Sequence, residues 1–239
     1  MTRFWSLVLL TLFSVQAVQA NTRIVTETLE LQFTYDGSLQ SATACYPTRH
    51  ADDASCSKYA PSGLISLVSD DTSWKETPNH SDTHFELLFE SLSGQSITWR
   101  IPISGHLLDL SVSGVSRIEM ASGEDFRPRE ASGFGNWLEQ LRYVVMTDED
   151  VLQLSLDEEE QESLQVEDWL GFRNRFWALM ARPDQVIEAD LDFSETNEDA
   201  RVGWAIDASE KQSVSVYLGP VEPEALRAAD NSLSEILYA

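Results

Sequence analysis

The chain has 239 residues, of which 42% are hydrophobic and 10% aromatic, proportions of a globular protein able to bury a sizeable core rather than of a disordered one. Its 40 acidic residues outnumber 16 basic ones and give a formal charge of −24. Such a surface repels nucleic-acid phosphates and anionic lipid headgroups, so neither is expected as a partner.

The first twenty residues, MTRFWSLVLLTLFSVQAVQA, carry one arginine, an apolar run from Phe4 to Phe13 and a small-residue end at Ala20. That is the layout of a secretory signal cleaved after Ala20, which makes the mature protein an exported one with no direct membrane insertion of its own. The alternative is an uncleaved inner-membrane anchor through residues 4–20, although the apolar run is about half the ~20 residues a spanning helix needs. Residues 21–239 are expected to form a single domain.

Next comes IVTETLELQFTY (24–35), in which Leu29, Leu31, Phe33 and Tyr35 alternate with Thr28, Glu30, Gln32 and Thr34. This is the pattern of one half-buried strand ending in an Asp36-Gly37 turn. Cys45 and Cys56 follow. In an oxidising compartment they are expected to pair, closing the loop between them and adding ~2–3 kcal/mol; two free thiols are the alternative, and the spacing fits neither a redox CxxC pair nor a zinc site. Further strand-like runs occupy 84–92, 96–103 and 107–114, with Ser/Gly turns between them, a spacing that argues for a sandwich or barrel.

The second half is less regular. Residues 141–156 read as two strands about an acidic turn, and DEEEQE (157–162) as a solvated loop. WLGFRNRFWALMARP (169–183) fits a helix through Trp169, Phe172, Phe176, Leu179 and Met180, but also fits a strand buried on both faces. RVGWAIDA and SVSVYL read as strands. After them Gly219-Pro220 is expected to break the strand, Pro223 to open a helix, and Ser232 with Glu235 to form a capping box for a second one. Leu226, Leu233, Ile236 and Leu237 supply the apolar stripe by which that helical end would pack.

Chemistry-bearing patterns are few. His80, Asp82, His84 and Glu86 alternate along what reads as an extended segment, which could in principle project two imidazoles and two carboxylates to one face for zinc or acid/base work; a solvated polar approach to a strand is the preferred explanation. His50 and His106 stand apart from them. No nucleophile elbow, phosphate loop or H-E-x-x-H motif occurs, so no cofactor, metal or catalytic residue is expected. The aromatics Trp137, Tyr143, Trp169, Phe172, Phe176, Trp177, Trp204 and Tyr217 could line a ligand groove, or simply fill the core.

Five segments taken in order resemble the periplasmic domain of the YidC family of membrane protein insertases: LELQFTYDGSLQSATACYP, YAPSGL, SITWRIPISGHLLDLSVS, WLGFRNRFWALMARP and VYLGPVEPEALRAADNSLSEIL. The resemblance covers about residues 24–238. It implies a mainly β fold, a β-supersandwich of galactose-mutarotase type with short C-terminal helices packed on one sheet, and makes 169–183 strand rather than helix. The membrane-embedded insertase bundle and its arginine have no counterpart in the sequence, so insertase activity is not carried over. What the resemblance implies instead is a non-catalytic, chaperone-like accessory that binds an extended protein client or a Sec or insertase complex. The alternative is a carbohydrate-binding or mutarotase-like protein, with His80, His84 and Glu86 as its acid/base set.

Overall fold

The computed structural model describes residues 22–59, 63–123, 141–147, 150–155, 163–194 and 199–237. The expected signal segment and Trp137 therefore lie outside the described residues, as does the acidic run 157–162. In chain order the first strands are β1 (Thr22–Val25), β2 (Leu29–Phe33), β3 (Leu39–Tyr46), β4 (Ser55–Lys58), β5 (Ile65–Val68), β6 (Trp74–His80), β7 (His84–Ser91), β8 (Ser96–Pro102), β9 (Leu107–Ser113) and β10 (Arg117–Ala121). They are followed by β11 (Arg142–Met146), β12 (Val151–Ser155), β13 (Ser163–Val166), β14 (Leu170–Arg173), β15 (Trp177–Pro183), β16 (Ile187–Ser194), β17 (Asp199–Ala205) and β18 (Lys211–Pro220). A short helix, α1 (Pro223–Ala229), and a 3-10 helix (Ser232–Leu237) close the chain.

These strands make two antiparallel sheets, the architecture of a β-supersandwich. One runs β1-β2-β3-β5-β10-β17-β16-β13, with β4 also on β3; the other runs β12-β11-β14-β15-β18-β9-β8-β7-β6. Alternation along each strand turns one face of each sheet inward. Leu29, Leu31 and Phe33 from β2 meet Trp99 and Ile101 from β8 in one continuous apolar layer between the sheets. Trp99 is fully buried and satisfies its ring N–H by donating to the Gly37 carbonyl at 2.8 Å, which is how a large indole can occupy the middle of a core without an unpaired donor.

The opening segment is two strands, not one. The Thr26 hydroxyl accepts the backbone N–H groups of Thr28 and Leu29, and this local bond replaces the sheet ladder and turns the chain back. β1 then pairs with β2 from Thr22↔Phe33 to Val25↔Glu30, while Tyr35 falls in the following turn and is 40% exposed. Cys45 and Cys56 sit directly opposite each other on β3 and β4 and are joined as a disulfide.

Residues 169–183 are strands β14 and β15. Their periodicity is ambiguous because β15 is buried on both faces: Leu179 and Ala181 belong to the core between the sheets, Ala178 and Met180 to a second apolar cluster on the outer side. That outer cluster is completed by Leu226, Leu233 and Ile236, each fully buried, with Leu237 packed against them half-buried. Polar contacts hold the same segment down. Arg182 donates to Asp230 at 2.6 Å and stacks over Trp169, whose ring N–H donates to the Ser232 hydroxyl at 3.1 Å, and Arg173 donates to the Ile236 carbonyl. Ser232 is thus engaged with Trp169 and Asp230 rather than capping a helix, and the residues after it wind as a 3-10 turn. β18 also runs straight through Gly219 to Pro220 instead of ending before it.

Candidate functional site

The helical end walls a pocket of about 350 Å³ against the first turns of the sandwich. Its sides come from four distant stretches: Thr28, Tyr46 with Pro47, the loop from Pro102 to Leu107, and α1 through Glu224, Ala225, Ala228 and Ala229. The Thr28 hydroxyl donates to the Gly105 carbonyl and fixes the loop to the β1–β2 connection. On the opposite side α1 begins at Pro223, whose ring favours the first helical turn.

His106 forms the floor. It is 7% exposed, and its Nε2–H donates to the Cys45 carbonyl at 3.1 Å. Its ring lies between those of Tyr46 and Tyr217, with centroids 6.4 and 6.2 Å away, and rests on Gly219, where an added Cβ would come within 2.7 Å of the imidazole. Burial pushes this histidine below its ordinary range, against the bond to the Cys45 carbonyl, which favours the charged form. The imidazole is therefore neutral at pH 7, and its buried proton is committed to a backbone carbonyl. Tyr217, which packs on His106 without lining the pocket, donates to the Pro220 carbonyl at 2.6 Å, and burial raises its phenol far above the usual range, so its proton stays in place.

A pH dependence follows. Because the folded-state value of His106 is lowered, the unfolded chain takes up the proton first. The stability associated with the neutral ring is complete above the ordinary histidine value of about 6.5 and is lost as pH falls below it. Denaturant midpoints measured at successive pH values should decline from about pH 6.5 downward, before the bulk of the carboxylates titrate, and His106→Gln should flatten that part of the profile. An unchanged slope in the variant would show that another group is responsible.

The sequence-expected residues are distributed differently. His80, Asp82, His84 and Glu86 do not share an extended face: β6 ends at His80, residues 81–83 form a turn, and β7 begins at His84. His84 Nδ1 lies 2.8 Å from the Ser81 hydroxyl and 3.0 Å from that of Thr83, so the ring braces the turn. Among the described residues no grouping of three or more histidines, cysteines or carboxylates suits a metal ion. Of the aromatics, Tyr143, Trp169, Phe172, Trp204 and Tyr217 are buried in the two apolar clusters; Trp177 is half-buried and Phe176 is 52% exposed. They make no common platform. Tyr46, His106 and Glu224, which do face one pocket, carried no mutual signal in the sequence, since 60 or more positions separate each from the next.

No protein-family model matches the chain, and no curated protein matches it. Solved structures do. The chain is similar to the α-N-acetylgalactosaminidase NagBb from Bifidobacterium bifidum in its complex with GalNAc, with a TM-score of 0.54 and 10% identity over 90% of this chain and 39% of that one. The ligand-free form of the same enzyme gives a TM-score of 0.51 at 10% identity, covering 82% of this chain and 35% of that one. The chain thus spans little more than a third of the length of these structures, and the likeness is one of fold: a β-sandwich domain. Among the described residues no helix is long and apolar enough to cross a membrane.

Proposed function

We propose that this chain is a non-catalytic binding domain working outside the cytoplasm as an accessory in envelope protein biogenesis, where it holds a segment of another protein. The observation that carries the binding reading is the pocket beneath α1. It has one aromatic and one carboxylate side chain at hand, while the histidine in its floor is neutral and bonded to a backbone carbonyl. Groups suited to recognition, an aromatic face and a carboxylate, line it together. The protein-client half is supported by the ordered resemblance to YidC's periplasmic domain and by the helical end, which packs on the outer face of one sheet as that resemblance implies. A disulfide fits an exported protein.

A carbohydrate ligand is the second reading, and the comparisons favour it: the structures described above are of a carbohydrate-active enzyme. The same pocket, with a tyrosine face and hydroxyls at Ser104 and Thr28, has groups that could take a sugar. One paired experiment separates the two. Affinity capture of the tagged protein from envelope extract should recover Sec translocon, insertase or outer-membrane precursor proteins, and a glycan panel read by tryptophan fluorescence should be silent. Capture of none of these together with a saturable response to a sugar would replace the first reading with the second.

A further inference from the structure

We infer that the pocket beneath α1 receives a basic side chain, a lysine or arginine, from an extended segment of a partner protein; this rests on the protein-client reading and names what its site takes. Size speaks first. At about 350 Å³ the pocket lies at the lower end of the ~300–1,000 Å³ typical of ligand sites, a volume suited to one long side chain. Its walls are those of an aliphatic stem: Leu107, Pro102, Ala225, Ala228 and Ala229 offer carbon to the three or four methylenes of an arginine or lysine, the part that packs on apolar surface while its head stays polar.

Charge speaks second. Glu224 contributes the pocket's only carboxylate, and it is exposed at the mouth. Among the described residues no salt bridge engages it; Arg227, one turn further along α1, does not line the pocket. The other nitrogen base present, His106, is held neutral and offers a cation no repulsion. Tyr46 adds a ring face, to which an ammonium or guanidinium is attracted. Over longer range, a chain of charge −24 draws basic segments toward it. An anionic occupant would meet the Glu224 carboxylate as a like charge at the mouth, and a plainly apolar one would gain nothing from it.

The test uses the intact protein and two short extended peptides that differ at one position, lysine in one and norleucine in the other, titrated by calorimetry. The lysine peptide should bind about two- to fivefold more tightly, the difference an exposed ion pair gives, and Glu224→Gln, a surface change that leaves the core untouched, should make the two peptides equal. Equal binding to the unaltered protein, or a gap that survives in Glu224→Gln, overturns the inference. If both peptides bind equally and Tyr46→Ala weakens both, the basic side chain is wrong but the protein-client reading stands. If neither peptide binds while free N-acetylgalactosamine does, both fall.

Discussion

Removing residues 222–239 should leave a strongly destabilised protein that aggregates. The truncation takes away Leu226, Leu233 and Ile236 and uncovers Val144, Met146, Met180 and Tyr217 on the outer face of β11, β15 and β18, together with Trp169 just before β14. Each fully buried side chain of this kind contributes about 1.5–3 kcal/mol, so the three lost from the helical end approach the whole of a typical ~5–15 kcal/mol stability. The bared patch is also the sort of surface that drives association. Size-exclusion chromatography and binding of a hydrophobic dye should both report the change. A milder version, Leu233→Ala, should cost about 2–5 kcal/mol through the cavity it leaves. A truncated protein that stays monomeric with an unaltered melting point would show that the outer cluster contributes little.

An equally large effect is expected at Gly171. Its backbone sits at φ +152° in β14, opposite Met180 in β15, and a Cβ there would lie 2.1 Å from the Leu179 carbonyl oxygen and 2.9 Å from the Met180 Cα. Both neighbours are main chain within a paired ladder and cannot swing aside as a side-chain tip would. Gly171→Ala should therefore part β14 from β15 and cost about 4 kcal/mol or more, in the range reserved for backbone strain plus lost pairing. Gly94→Ala is the control: its φ is +88° but a Cβ would meet nothing within 4 Å, so only the conformational cost of about 1–2 kcal/mol remains. Denaturant unfolding of the two variants should differ by at least about 2 kcal/mol; equal losses would mean that β15 can move away from Gly171.

Much of the strand layout could be read directly, and the reason is solvent on one side. β7, β8 and β9 lie within a residue or two of the runs at 84–92, 96–103 and 107–114, because each presents one inward and one outward row. β15 could not be read so, since the helical end buries its outer row as well and erases the alternation. The break between β1 and β2 was hidden for a different reason: Thr26 and Thr28 look like strand residues by their branching, but the Thr26 hydroxyl captures two backbone donors. The candidate site was almost wholly illegible. His106 stood apart in the sequence, whereas the fold sets it against Gly219 and Tyr217 from the other end of the chain. The alternating His80, Asp82, His84 and Glu86 promised a constellation and became a hairpin turn, since the turn hydroxyls of Ser81 and Thr83 bind the His84 ring.

Because the pocket is drawn from residues 28, 46–47, 102–107 and 224–229, it exists only once the first and last strands have met. No fragment of the chain carries it. An occupant therefore reads out completion of folding, and by mass action it reinforces the entire sandwich: at a hundredfold excess over its dissociation constant it would add about 2.7 kcal/mol. Cargo and scaffold are thermodynamically linked, and a domain engaged with its partner is harder to unfold or digest than the same domain idle.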